Sequence, residues 1–248
     1  LGADDDVPFR FDNEKTAHTI QVAPFRIARA PVTQAEFAAF VEAGGYRDPA
    51  YWSAEGWAWR ESSELAAPVY WRTSPGGWEV RHFDAWHPMQ PNAPVSHVSR
   101  YEAEAFCRWA GRRLPTEAEW EMAASRVPSG NGLEPGKRHY PWGNAPGDSR
   151  HANTDGYRVG TVDVAGLAEG DSALGCRQML GNVWEWTASP FAPYPGFQAD
   201  LYAEYSAPWF EDGRSVLRGG SWATRRRHLN INTRNFFPPE RNDLIAGF

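Results

Sequence analysis

The segment from residue 216 to residue 241 holds the side chains best suited to binding a small polar molecule. It reads VLRGGSWATRRRHLNINTRNFFPPER. Arginine can fork onto a carboxylate, and aromatic faces attract cations. The segment contains no cysteine and no pair of metal-binding residues at a recognised spacing. It therefore predicts a pocket wall that orients substrates without a metal of its own.

Metal and nucleophile motifs are missing elsewhere too. The seven histidines show no HxxxH or HExxH spacing, and the nearest pair, His82 and His87, falls in a predicted loop. The sequence has no GxSxG elbow, and neither cysteine has a histidine at a recognisable spacing. These observations disfavour a hydrolase and indicate no obvious redox centre.

Two loop motifs could hold calcium. GNVWEWT contains Asn182 and Glu185, and HANTDG contains Asn153 and Asp155; all four could supply hard oxygen ligands. The alternative, slightly favoured, is that these side chains form Asx-type turns and satisfy loop backbone.

Composition restricts the class of protein. The 25 basic and 31 acidic residues give a net charge of -6, which argues against a nucleic-acid partner. No stretch reaches ~18 consecutive apolar residues, and the acidic start LGADDDVPFR is unlike a signal peptide. We therefore expect a soluble, cytoplasmic protein without a membrane partner. Cys107 and Cys176 are expected to be reduced and buried.

Local signals predict few regular elements in one domain spanning residues 1–248. Residues 18–30 alternate like a strand pair, residues 215–218 resemble a strand, and residues 46–95 suggest loops packed by their own Trp and Pro side chains. Three short helices are each expected to begin with a capping box: Thr33 with Glu36, Ser99 with Glu102, and Thr116 with Glu119.

The order of several motifs resembles a known family. PVTQAEFAAFVEAGGY, PVSHVSRYEAEAFCRWAGRRLPTEAEWEMAA, YPWGN, GNVWEWT, VLRGGSW and the RNFF…AGF ending are similar to the formylglycine-generating-enzyme-like domain. The resemblance implies an α+β variant of the C-type lectin fold, with few short helices, short antiparallel strands and much irregular loop. Formylglycine-generating enzymes carry two copper-binding cysteines after RGGSW, where this chain has Thr224 and Leu229. Because hydroxyl and aliphatic groups do not suit Cu(I), that activity is not expected.

A different branch matches more of the chain. FRFDNE, AGGYRDPAYWSAEGWAW, PYPGF, YAEYSAPWF and RNFFPPER resemble the C-terminal domain of the iron(II)-dependent sulfoxide synthases of ergothioneine and ovothiol biosynthesis and of the selenoneine synthases. These enzymes use O2 to join sulfur or selenium to the imidazole of a histidine derivative. In that family three histidines hold the iron, two of them in an HxxxHxE motif on a helical bundle that these 248 residues lack. The resemblance implies Fe(II) supplied by a separate helical iron-binding domain.

The same resemblance assigns roles to individual residues. Tyr202 matches a tyrosine that donates a proton near the substrates, and Tyr205 is the weaker candidate. Phe236 and Phe237 match positions that contact substrates, and Arg241 matches a substrate-binding arginine. Enzymes that use γ-glutamylcysteine have Trp-Asp at the Phe-Phe positions. Loss of that aspartate favours a different donor, such as cysteine or a selenosugar.

Other residues of the segment have less specific expectations. Asn235 could bind substrate or be structural, and Arg218 and Arg234 could tie loops together. Residues 225–227 suggest a solvated edge. An aromatic wall would suit the trimethylammonium group of hercynine.

Three functional hypotheses follow from these residues and from the family resemblance. The first is a substrate-binding domain of an enzyme that forms a carbon–sulfur or carbon–selenium bond on hercynine or histidine. The second is a non-catalytic lectin-like binding module, and the third, opposed by Thr224 and Leu229, is a formylglycine-generating oxidase.

Overall fold

The computed structural model describes residues 1–7, 9–130 and 132–248. Short helices and small sheets are separated by long irregular loops, so the predicted α+β class is confirmed. Four α-helices lie within the described ranges: α1 (Gln34–Glu42), α2 (Ala54–Ser63), α3 (Arg100–Trp109) and α4 (Glu117–Ser125).

The three predicted helices begin where their capping boxes place them. The Thr33 hydroxyl accepts a hydrogen bond from the Glu36 backbone N–H at 3.2 Å, and the Glu36 carboxylate accepts one from the Thr33 N–H at 2.9 Å. Ser99 with Glu102, and Thr116 with Glu119, repeat this reciprocal pattern. Because a capping box satisfies two N–H groups at the helix start, residues three apart define each beginning.

The strands form three sheets. An antiparallel sheet holds β1 (Trp71–Ser74), β2 (Gly77–His82) and β3 (Ala85–Pro88), and a two-stranded ribbon holds β4 (Pro128–Ser129) and β5 (Gly132–Leu133). The third sheet has the order β8-β7-β6-β9, from β6 (Trp184–Pro190), β7 (Ser215–Arg218), β8 (Arg234–Phe237) and β9 (Ala246–Gly247). Its β6 and β9 are parallel, so the expectation of antiparallel strands holds for the other pairs only.

Two regions differ from the sequence expectations. Residues 18–30 contain no helix or strand, because their alternating side chains find no partner strand in the described structure. Residues 46–95 contain α2 and the β1–β3 sheet as well as loops. The Ser53 hydroxyl caps α2 by accepting from the Gly56 N–H at 3.0 Å. The expectation of loops overlooked this capping residue in the tryptophan-rich segment.

The core consists of two clusters. The larger packs Phe37, Phe40 and Phe106 against Trp186, with ring centroids of Phe37 and Phe106 5.5 Å apart. The smaller surrounds Trp120. Cys107 lies in the larger cluster and Cys176 in the smaller, each as a free buried thiol.

Two glycines turn the chain immediately after β7. Gly219 and Gly220 have φ angles of +92° and +80°, which L side chains rarely adopt. A Cβ atom at Gly219 would lie 2.7 Å from the Met179 carbonyl oxygen. The glycine pair therefore allows the segment after β7 to pass close to the loop before β6. Among the described residues, no helix has both the length and the apolar character needed to cross a membrane.

Glu102 gives the fold a pH-dependent contribution. Its buried carboxylate accepts from the Tyr46 hydroxyl and from the Ser99 N–H at 2.7 Å. Burial raises the pKa of Glu102 from 4.5 to about 7, so between these values the native state keeps a proton that the unfolded state loses. This contribution to stability is present below the unfolded pKa and is lost as pH rises.

Replacing Glu102 by glutamine should remove that pH dependence, because glutamine cannot ionise. From about pH 5 to about pH 8, we expect the unfolding free energy of wild type to fall relative to that of Glu102→Gln. Urea unfolding of both proteins at these two pH values measures the change in relative stability. Glu55→Gln, at an exposed position of α2, is the matched control. A difference for Glu102→Gln that is the same at both pH values would contradict the expectation.

Candidate functional site

Strand β8 separates the predicted substrate-binding residues onto two faces. Side chains alternate along a strand, so Arg234 and Phe236 share one face and Asn235 and Phe237 share the other. The observed contacts follow this pattern: Phe236 stacks on Phe191, whereas Phe237 packs against the larger core cluster. The predicted residues therefore lie on opposite faces of β8 and do not form one wall.

Five rings form a continuous aromatic surface on the first face. Phe11 stacks on Tyr205 with ring centroids 4.5 Å apart, and Tyr205 meets Phe236 edge-on at 6.1 Å. Phe9 lies edge-on to Phe11 at 4.9 Å and to His228 at 5.3 Å. We call these five residues the aromatic surface. It joins the start of the chain to the segment singled out in the sequence.

A buried 3-10 helix, Asp12–Glu14, positions the aromatic surface from behind. The Ser206 hydroxyl donates to Asp12 Oδ1, and the Asn13 side-chain amide donates to Ser206 Oγ at 2.8 Å. Asp12 Oδ2 and Asn13 Oδ1 are buried without a hydrogen-bond partner among the described residues. Tyr205 is thus anchored through its neighbour Ser206 to the N-terminal segment.

Glu14 and Asp12 also set the electrostatics of Tyr205. Glu14 is 1% exposed and accepts from the Arg234 N–H at 3.3 Å and the Phe11 N–H at 3.1 Å. Burial raises the pKa of Glu14 to about 7. Burial also raises the pKa of Tyr205, and the neighbouring charges of Glu14 and Asp12 raise it further. Tyr205 therefore remains a neutral phenol at physiological pH.

The second face contains a pre-formed ion pair. Arg241 donates to Asp243 from Nε at 2.6 Å and from Nη2 at 2.8 Å, and its guanidinium lies 5.3 Å from the Phe237 ring centroid. Asn235 Oδ1 accepts from the Phe236 backbone N–H at 2.9 Å. A substrate carboxylate at Arg241 would have to compete with Asp243.

Tyr202 lies apart from both faces. Its side chain is 65% exposed, and Leu201 beside it is fully exposed. The Tyr202 carbonyl accepts from the Tyr205 N–H at 3.1 Å, so the Tyr202 backbone lies beside the aromatic surface.

A buried ion network supports the first face of β8. Arg218 is 0% exposed and donates to Glu117 Oε1 at 2.9 Å and to Glu121 Oε2 at 2.7 Å. Arg234 donates to the same Glu117 oxygen at 2.7 Å, and so does the Tyr194 hydroxyl at 2.9 Å. The structural interpretation of Arg218 and Arg234 is confirmed.

The carboxylates of this network could have been found in the sequence. Glu117 and Glu121 are four residues apart, so they lie on one face of α4. Burial alone would raise the pKa of Glu121, but the charges of Arg218 and Lys137 lower it. The missing information was that β7 and β8 would bring two arginines to that face.

The four candidate calcium ligands do not converge. Asn182 Oδ1 accepts from the Asn153 side-chain amide at 3.3 Å and from the Val162 N–H at 2.9 Å. Asp155 instead accepts from the Arg226 N–H at 2.9 Å, and Glu185 from the Trp120 indole at 2.7 Å. Burial raises the pKa of Glu185 to about 7. Loop hydrogen bonds account for Asn182 and for the Asn153 NH2 group, whereas Asn153 Oδ1 is buried without a partner among the described residues. Calcium binding stays a prediction.

The described residues do not fit an iron or copper centre of their own. They contain no group of three or more His, Cys, Asp or Glu side chains arranged to hold a metal ion. His82 ends β2 and His87 lies in β3, so the prediction of a loop for this pair is wrong; their ring centroids are 6.3 Å apart. Thr224 Oγ1 accepts from the Ser221 N–H at 3.0 Å, and Leu229 is buried against Gly220. Both aligned cysteine positions are thus filled by non-ligands.

Known proteins are similar to this chain in sequence and in architecture. The chain matches the sulfatase-modifying factor enzyme 1-like domain over residues 2–248. It is 45% identical to a hercynine oxygenase of Mycolicibacterium thermoresistibile, covering 100% of this chain and 55% of that protein. It is 34% identical to a formylglycine-generating enzyme of Thermomonospora curvata, covering 100% and 88%.

A solved structure agrees on the fold. PvdO from Pseudomonas aeruginosa superposes with a TM-score of 0.61 and 24% identity, covering 100% of this chain and 88% of that one. The chain spans about half the length of the hercynine oxygenases it matches. The predicted resemblance to the formylglycine-generating-enzyme-like domain is confirmed, and this chain belongs to the family of sulfatase-modifying factor enzyme 1-like domains.

Proposed function

We propose that this chain is the substrate-binding domain of an iron(II)- and O2-dependent enzyme. That enzyme would form a carbon–sulfur or carbon–selenium bond on the imidazole of hercynine or histidine. The observation that carries the proposal is the aromatic surface with two carboxyl groups buried behind it. Similarity to proteins named hercynine oxygenase supports the choice of substrate.

The aromatic surface suits a trimethylammonium group. Such a cation is bulky and weakly hydrated and cannot donate hydrogen bonds, so ring faces attract it better than a hydrogen-bond acceptor does. Each ring contributes about 0.5–2 kcal/mol. Tyr205, Phe11 and Phe236 present these rings. The Asp12 and Glu14 carboxyls lie behind these rings without a salt bridge at the surface, and Glu14 adds its full negative charge only above its raised pKa of about 7.

The second face suits the acidic part of the sulfur or selenium donor. The Arg241 guanidinium can fork onto a carboxylate once Asp243 is displaced, and the Phe237 ring lies beside it. No carboxylate stands at the Phe236–Phe237 positions to pair with a donor ammonium group. The missing carboxylate therefore disfavours γ-glutamylcysteine. A carboxylate bound at Arg241 would favour cysteine, whereas a selenosugar, which has no carboxylate, would leave Arg241 paired with Asp243.

In this proposal a helical iron-binding domain outside these residues holds Fe(II) and supplies the oxidative chemistry. The present chain binds and orients the two substrates. Tyr202 provides a proton at its phenol oxygen, from a rim position accessible to a neighbouring domain. The intact protein, assayed with Fe(II), O2, hercynine and a panel of thiols and selenosugars, tests the reaction by product mass. Substrate binding without product would favour the non-catalytic module.

Phe236→Ala should weaken hercynine binding about tenfold, the loss of roughly one cation–π contact and its packing. Calorimetric titration of the intact protein with hercynine measures the effect, and histidine serves as the ligand without a quaternary ammonium. Histidine binding should change less. Phe83→Ala, an exposed phenylalanine on the β2–β3 turn, is the matched control. Equal hercynine affinity in Phe236→Ala and Phe83→Ala would remove the aromatic surface from the proposal.

A further inference from the structure

A second cleft lies beside the aromatic surface and has no role in the proposed reaction. It has a volume of about 640 Å³, is broadly open to solvent, and is lined by Tyr140, Pro146, Gly147, Asp155 and the arginines at 225–227. Small-molecule sites commonly fall between about 300 and 1,000 Å³, so the cleft could hold a metabolite-sized ligand. The three arginines are exposed, in agreement with the predicted solvated edge, and they line one side of this open cleft.

Arg226 is fixed in the cleft by contacts within the chain. Its Nη1 donates to the Gly147 carbonyl oxygen at 2.5 Å, and its Nε lies 3.7 Å from Asp155 Oδ2. Asp155 Oδ1 also accepts from the Arg226 backbone N–H at 2.9 Å. Asp155 is the one carboxylate among the described residues that line the cleft, and it is already paired with Arg226.

The guanidinium charges of Arg225 and Arg227 are not paired with a carboxylate among the described residues. Both side chains are exposed, and no carboxylate of the described residues forms an ion pair with either guanidinium. Arg227 Nε donates to His228 Nε2 at 3.1 Å, so among the described residues its guanidinium group bonds only to an imidazole nitrogen. Most of the donors on these two arginines remain available to a ligand.

This arrangement favours an anion. Two guanidinium groups that flank a neutralised Arg226 repel each other, and a bound oxyanion would offset that repulsion while accepting forked hydrogen bonds. The positive cleft also stands out in a chain of net charge -6. Tyr140 stacks on Trp142 with ring centroids 5.3 Å apart, which gives the cleft a rigid wall with a hydroxyl group.

We propose that the cleft between Tyr140 and the Arg225–Arg227 run binds a small ligand bearing an oxyanion, either carboxylate or phosphate. Arg225 and Arg227 are its principal contacts, and Arg226 with Asp155 holds the run in place. The site uses none of the substrate-binding residues on the two faces of β8, and it contacts the aromatic surface where Arg227 donates to His228.

Titration calorimetry of the intact protein with inorganic pyrophosphate and with citrate tests the site, at constant ionic strength. We expect saturable binding of at least one probe with one site per chain; the tighter probe identifies phosphate or carboxylate as the preferred group. Arg225→Ala/Arg227→Ala should weaken that binding at least tenfold, roughly the effect of losing charge-assisted contacts. Arg108→Ala/Arg112→Ala removes the same charge at exposed positions near the end of α3 and should leave binding unchanged.

Three outcomes would overturn the proposal. One is the absence of saturable binding for both probes, and another is equal weakening in the two double variants, which would indicate only a general effect of net charge. The third is saturable binding of a hexaglutamate peptide without binding of either small probe, which would indicate a surface for an acidic protein. Thermal unfolding of the variants checks that each is folded before titration.

Discussion

Glu117→Ala is expected to lower the free energy of unfolding by about 3–5 kcal/mol, the cost of breaking a buried ion pair from one side. Glu117 accepts from Arg218, Arg234 and Tyr194, and both arginines are almost wholly buried. Without this carboxylate Arg234 loses its only ion pair among the described residues, and Arg218 keeps only Glu121. Their uncompensated charge cannot reach water without opening the sheet.

Urea unfolding of wild type and Glu117→Ala at neutral pH measures this loss. Glu79→Ala is the matched control, because Glu79 pairs with a half-exposed Arg72 on the β1–β2 hairpin at 2.7 Å. Solvent screens that pair, so its removal should cost only about 0–1 kcal/mol. Similar losses in the two variants would show that the buried network contributes no more than a surface ion pair.

Tyr202→Phe is expected to lower kcat of the intact enzyme about 10²–10⁴-fold, the range for loss of a positioned proton donor. Substrate affinity should change little, because the phenyl ring is kept and only the hydroxyl is removed. The effect follows from the proposed function, in which Tyr202 faces the neighbouring domain at the rim of the aromatic surface. Steady-state rates with hercynine, and the identity of the product by mass, measure it.

Tyr157→Phe is the control for this experiment, since Tyr157 is 74% exposed and lies on a different loop. It should behave as wild type. A Tyr202→Phe enzyme with an unaltered rate and product would remove Tyr202 from proton transfer. Hercynine binding at the aromatic surface is tested separately, by the Phe236→Ala titration.

The helix starts could be predicted because their causes are local. Thr33, Ser99 and Thr116 each cap a helix through a glutamate three residues later, and the sequence displays both partners together. Strand pairing is different, because it depends on a partner that local sequence does not identify. Residues 18–30 alternate as a strand would, yet within residues 1–7, 9–130 and 132–248 no strand pairs with them.

The amino-acid sequence was sufficient to predict the family, the three capped helices, the buried thiols and the segment that carries the arginines and Phe236–Phe237. Which of these side chains come into contact depends on long-range packing. Asn13 and Ser206 bond although 193 residues separate them, and Glu14 reaches Arg234 across 220 residues. Such contacts arise from how β7 and β8 pack on α4 and the N-terminal segment, and no local propensity specifies that packing.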